Sequence, residues 1–180
     1  MAKSRKAAIA VLAGIGLLQA PVAFAQDCIA KQDLTDATIY AVPVLIEGFQ
    51  ATCSAHLAPN GFFAKKGKAF VAPYAAMQAD RWPGTMRAVM AFATKGGKQA
   101  DDAGMTEIFQ SMPPETLRPF VDAILSQKFG ESLKPSDCGK VERAMELLAP
   151  LPPENVGGLL TFVLDMTGAK EPSICQADSR

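Results

Sequence analysis

Two helix–diproline–helix units stand 39 residues apart in this 180-residue chain. Glu107-Ile108-Phe109, then Met112-Pro113-Pro114-Glu115-Thr116-Leu117, is answered by Glu146-Leu147-Leu148, then Leu151-Pro152-Pro153-Glu154-Asn155-Val156. The paired prolines stop one helix and open the next. Proline at the first helical position forfeits only a donor with no intrahelical partner, and its φ is already helical. The glutamate that follows meets the positive end of the helix dipole, worth about 0.3–1 kcal/mol. Apolar residues on either side recur at helical spacing: Met105, Ile108, Phe109 and Met112 before the first corner, Leu117, Phe120, Val121, Ile124 and Leu125 after it, ending at Gly130. Val141, Ala144, Met145 and Leu148, then Val156, Leu159, Leu160, Val163 and Leu164, ending at Gly168, do the same around the second. The repeat therefore covers about 102–130 and 139–168.

Trp82-Pro83-Gly84-Thr85-Met86-Arg87 is a weaker third copy with one residue missing. A period near 40 with two helices per unit is the spacing of helical solenoids. The chain is too short for a long stack, so the expected fold is all-α, a compact array of αα-hairpins with about six to seven helices. At its centre belongs the helix expected from Asp33–Thr35 to Cys53. Ile39, Val42, Ile46, Phe49 and Cys53 form one stripe on it, and Ala37, Ala41, Leu45 and Gly48 cover a second face. A helix apolar nearly all round lies inside a domain. Pro43 is expected to kink or divide it. Shorter helices are expected around Phe70, Tyr74 and Met77, and from Trp82-Pro83 to Gly96-Gly97. The apolar run from Gly157 to Leu164 reads as a buried helix.

The first 25 residues form a secretory leader. Lys3, Arg5 and Lys6 precede an apolar stretch from Ala7 to Leu18, and Ala23-Phe24-Ala25 supplies the small residues of a cleavage site. The stretch is shorter than the roughly 20 residues a bilayer crossing takes. The processed chain, 26–180, is expected to be one helical domain, periplasmic or secreted, with no stable membrane anchor. Cys28, Cys53, Cys138 and Cys175 then enter an oxidising compartment and are expected to form two disulfides. Their spacing fits no zinc site. An antiparallel last hairpin would bring Cys138 to Cys175, leaving Cys28 to Cys53. That second bridge is taut, since a helix from Thr35 to Cys53 rises about 27 Å and seven extended residues reach back only about 24 Å. Cys28–Cys175 with Cys53–Cys138 is the competing arrangement.

The leader holds three of the basic residues and no acidic one, so the chain beyond it is mildly acidic although the whole chain's formal charge is +0. That balance argues against nucleic acid, whose phosphates are held by clustered Lys and Arg, and against an anionic membrane surface. His56 is the single histidine, so a hydrolase built on Ser or Cys would have to use it. At a helix end it reads as a C-terminal cation or hydrogen-bonding group. Asp101-Asp102, Glu115 and Glu154 read as helix-start carboxylates rather than metal ligands or an acid/base pair. No residue is assigned a catalytic or metal role, and no cofactor is implied. Glu47, on an otherwise apolar helix, and the basic loop Lys65, Lys66 and Lys68 are candidate ligand contacts together with His56. The expected function is that of an exported, non-enzymatic helical binding or scaffold protein with a protein or apolar ligand. A carrier of an apolar small molecule is the alternative, and a His56 hydrolase a more distant one.

Overall fold

The computed structural model describes residues 28–95, 112–168 and 173–175. Five α-helices run through them: α1 (Lys31–Cys53), α2 (Phe62–Lys95), α3 (Pro114–Ser132), α4 (Cys138–Leu148) and α5 (Pro153–Met166). Short 3-10 turns occupy Ser54–His56 and Pro135–Asp137. Two-residue strands β1 (Cys28–Ile29) and β2 (Ser173–Ile174) pair in parallel, Cys28 opposite Ser173 and Ile29 opposite Ile174. The expected leader and the helix expected near 102–112 lie outside the described residues, as do Asp101 and Asp102.

The protein is mostly helical, with fewer helices among the described residues than the six to seven expected. The two helices expected on either side of Trp82 are one, α2, which runs through Pro73 and Pro83. α1 likewise continues through Pro43. An internal proline costs a helix about 3 kcal/mol. Burial of Phe70, Tyr74, Thr85 and Ala88 along α2 offsets that cost.

α1 is the hub, packing against α2, α3 and α5. Ile39, Ile46, Phe49 and Cys53, four residues of its expected stripe, join Phe70, Tyr74, Cys138, Met145 and Val156 in the main core. Its start differs from expectation. The helix begins at Lys31 behind Ala30 with no side-chain cap, and the two aspartates at its head reach across to α2 instead. Asp33 takes a forked pair of bonds from Arg87, and Asp36 accepts from Arg81 Nη1 at 3.0 Å and from Gln32 at 2.9 Å. Those bonds hold the Arg87 guanidinium above its ordinary pKa. Forked guanidinium–carboxylate pairs are stronger and more directional than neutral hydrogen bonds, so they set how α2 lies along α1. Trp82 stacks at a tilt on Tyr40, ring centres 5.2 Å apart, and with Met86 and Met90 packs against Leu117 and Val121 of α3.

The two diproline corners are built alike. Pro113 and Pro152 precede their helices with φ,ψ of −58°, 142° and −58°, 148°. Leu117 N–H bonds to the Pro113 carbonyl at 3.1 Å, and Val156 N–H to the Pro152 carbonyl at 3.2 Å. Leu117 and Val156, 39 positions apart, are both buried. α5 ends at Met166 and is closed, near the expected place, by Gly168, whose φ of 67° suits glycine. α3 passes Gly130 and ends at Ser132, because Gly130 lies against α1, where Thr52 Oγ1 donates to its carbonyl at 3.0 Å.

The disulfides are Cys28–Cys175 and Cys53–Cys138, correcting the pairing favoured from the sequence. That pairing required α4 and α5 to lie antiparallel. The chain instead bends by 117° between Pro135–Leu148 and Pro153–Met166, short of a full reversal. Unbroken through 23 residues, α1 also carries Cys28 and Cys53 to opposite ends of a rod about 34 Å long. Cys28 meets Cys175 through the β1–β2 pair, and Cys53, at the foot of α1, meets Cys138 at the head of α4. Both bridges are compatible with an extracellular or periplasmic location. No single helix among the described residues is long and apolar enough to cross a membrane.

Candidate functional site

A cleft of about 520 Å³ opens between the start of α2 and the end of α4. Asn60, Gly61, Phe62, Lys65, Lys66, Ala69 and Phe70 form one wall, and Glu146, Ala149 and Pro150 the other. Pro59-Asn60-Gly61 supplies the expected turn, closed by Gly61 N–H on the Ala58 carbonyl at 2.9 Å. α2 then begins with no acidic residue in its first turn. The missing cap comes from α4, where Glu142 Oε1 accepts from Phe63 N–H at 2.8 Å. A side chain at Gly61 would come within 2.6 Å of that carboxylate oxygen, so glycine there keeps the approach open.

An aromatic stack backs the cleft. Phe62 and Phe70 meet edge-on with centres 6.1 Å apart, and Phe70 leans on Tyr74 at 5.5 Å. Burial, and then the charge of Glu154, push the Tyr74 hydroxyl above the ordinary tyrosine range. The Cys53–Cys138 bridge lies in the same core and pins the head of α4 to the foot of α1, fixing the spacing of the walls.

Lys65 and Lys66 put two cations near the N-terminal end of α2. Positive charge there opposes the helix dipole by about 0.3–1 kcal/mol per residue. Glu142 offsets part of this, and on the far wall Glu146 is paired with Arg143. The cleft thus combines ammonium groups and the positive end of a helix with apolar and aromatic walls.

Of the residues singled out from the sequence, Lys65 and Lys66 line this cleft. Lys68 is exposed on the next turn of α2, Glu47 is exposed on α1, and His56 is exposed in the 3-10 turn, all three outside the lining. The structure does not gather the five into one site. Phe62, Phe70, Glu146 and the cap Glu142 were not legible as site residues. Glu142 lies 79 residues from the amide it caps, and the one local clue was a helix start without a carboxylate of its own. Glu154 sits in the first turn of α5, as expected, with Arg81 Nη2 at 3.7 Å. Among the described residues no group of three or more His, Cys, Asp or Glu is placed to hold a metal ion.

No family model, curated protein or solved structure matches the chain.

Proposed function

We propose that this is an exported, non-enzymatic helical binding protein whose ligand seat is the α2–α4 cleft, and that the ligand is a small amphipathic anion. The supporting observation is the meeting of Lys65 and Lys66 with Phe62 and Phe70 in one opening of about 520 Å³. Ligand sites are commonly clefts of about 300–1,000 Å³, mostly apolar with a few polar groups that fix orientation. A carboxylate on a short alkyl chain meets both demands. Its charge relieves the unfavourable lysines at the helix start, and its tail covers aromatic surface. Export follows from the leader at 1–25, and the two disulfides suit that route.

The test is calorimetric titration of the processed, disulfide-bonded protein with octanoate. Saturable binding is expected, weakened at least tenfold in the Lys65→Ala/Lys66→Ala double variant, with octylamine binding far more weakly than octanoate. Octanoate binding that is absent, or equal in the double variant, refutes the assignment.

A further inference from the structure

The two disulfides sit in different surroundings. Cys53 is the last residue of α1 and Cys138 the first of α4, and neither exposes any surface. Both belong to the main core, among Phe49, Phe70 and Met145. Cys28 and Cys175 lie outside every α-helix, and both are part-exposed. A thiolate has to reach a sulfur before it can exchange with it. The core bridge is therefore shut off in the folded protein, while the bridge at the head of α1 stands at the surface.

Little holds that outer bridge besides its own sulfurs. β1 and β2 are two residues each, with Cys175 N–H on the Ile29 carbonyl at 2.9 Å. Ile29 and Ile174 are buried in a small cluster of their own with Leu34 and Ala88, apart from the main core. Undocking them unwinds no helix, because α1 starts beyond them at Lys31. Parting Cys53 from Cys138 instead opens the core that α1, α2 and α4 share. Segments with few buried contacts open locally, whereas core contacts break only in global unfolding. Local opening is also reversible here. Lys31 Nζ donates to Asp165 Oδ2 at 2.7 Å, which keeps the head of α1 against α5 while the strands are apart.

We propose that Cys28–Cys175 is a redox-released strap over the head of α1, whereas Cys53–Cys138 is a permanent core bridge. A dithiol reductant operates it. One thiolate attacks a strap sulfur, a mixed disulfide forms, and the other cysteine leaves as a thiolate that takes up a proton. The reductant's second thiol then displaces the first cysteine and closes the reductant's own disulfide, so two electrons pass to the protein and two cysteine thiols result. What changes on release is surface. Leu34 and Ala88, 7% and 1% exposed, lose the cover of Ile29 and Ile174, and an apolar patch opens at one end of α1. The α2–α4 cleft keeps its walls, because Cys53–Cys138 is untouched.

The experiment is timed reduction of the folded, disulfide-bonded protein with dithiothreitol, trapped with iodoacetamide and mapped by peptide mass. Cys28 and Cys175 should be labelled about tenfold faster, or more, than Cys53 and Cys138. The doubly labelled protein should keep its helical circular dichroism and bind more anilinonaphthalene sulfonate than the oxidised form. Oxidised glutathione added before trapping should restore Cys28–Cys175. Ile174→Ala, which loosens the docking of the strap, should hasten the first pair alone. Labelling of all four cysteines together, Cys53 and Cys138 labelled first, helix lost with the first pair, unchanged dye binding, failure of the strap to re-form, or an Ile174→Ala variant that hastens both pairs alike would each overturn the proposal.

Discussion

The hydroxyl of Tyr40 donates to Asp122 Oδ1 at 2.6 Å, across 82 residues of sequence, and accepts from Arg118 Nε at 2.9 Å. Arg118 also lies over the Tyr40 ring, 5.2 Å from its centre. The tyrosine is fully buried, so this one side chain joins the middle of α1 to α3.

Alkaline pH tests that junction. Burial, reinforced by the hydrogen bond to Asp122, holds the Tyr40 hydroxyl protonated well above its ordinary range, and burial also raises Tyr74. Unfolded tyrosine ionises near pH 10. A group whose folded pKa is raised contributes fully below the unfolded value, and its contribution is lost as pH climbs through the folded value. Stability should therefore begin to fall near pH 10, by up to about 1.4 kcal/mol per pH unit for each tyrosine. The chain has two tyrosines, so absorbance at 295 nm reads both. At about pH 11 native protein should show less tyrosinate than urea-unfolded protein, which should show nearly two equivalents. Ordinary titration in the native state would contradict the burial described for both rings.

Two glycine substitutions should act with opposite sign. A methyl group at Gly48 would collide with the Ser126 carbonyl oxygen of α3 and stand 3.2 Å from the Gly130 nitrogen. Backbone cannot step aside, so Gly48→Ala should cost about 2–4 kcal/mol. Gly139, on α4, has nothing within 4 Å of the place a side chain would take among the described residues, and Gly139→Ala should stabilise by about 0.5–1 kcal/mol. Urea midpoints of the two variants decide it.

Removing either disulfide should cost about 2–4 kcal/mol in urea unfolding, since both close long loops, with sequence separations of 85 and 147. The local consequences should differ. Replacing Cys53 and Cys138 with alanine frees α4, so exchange of the Phe63 amide bonded to Glu142 should rise by an order of magnitude or more. Replacing Cys28 and Cys175 should leave that amide protected, because their bridge ties β1 to β2. Equal exchange in the two variants would mean that the Cys53–Cys138 bridge does not hold the cleft wall.

Much of the helical pattern was legible along the chain. Ile39, Ile46, Phe49 and Cys53 fell on the buried side of α1 as their spacing required, and Pro113-Pro114 and Pro152-Pro153 opened helices as proline's fixed φ demands. α1 is not divided at Pro43, and no new helix opens at Trp82-Pro83, because intrinsic propensity yields to burial along a long helix. Of the candidate site, Lys65 and Lys66 could be singled out as a basic cluster. Their partners across the cleft could not, since Glu142 and Glu146 looked like any solvated pair on an amphipathic helix.

What the sequence determined alone was local: where helices open at diproline corners, which stripe of α1 turns inward, and that four cysteines spaced for no metal should oxidise. Which cysteine meets which, the lending of Glu142 to α2, the clasp of Arg118 and Asp122 on Tyr40, and the exposure of Leu159 and Phe162 on a helix expected to be buried were settled only in three dimensions. Backbone torsions and the helical period act within a turn or two. A bend of 117° at one corner redirects everything beyond it, and contacts across 80 residues depend on that direction.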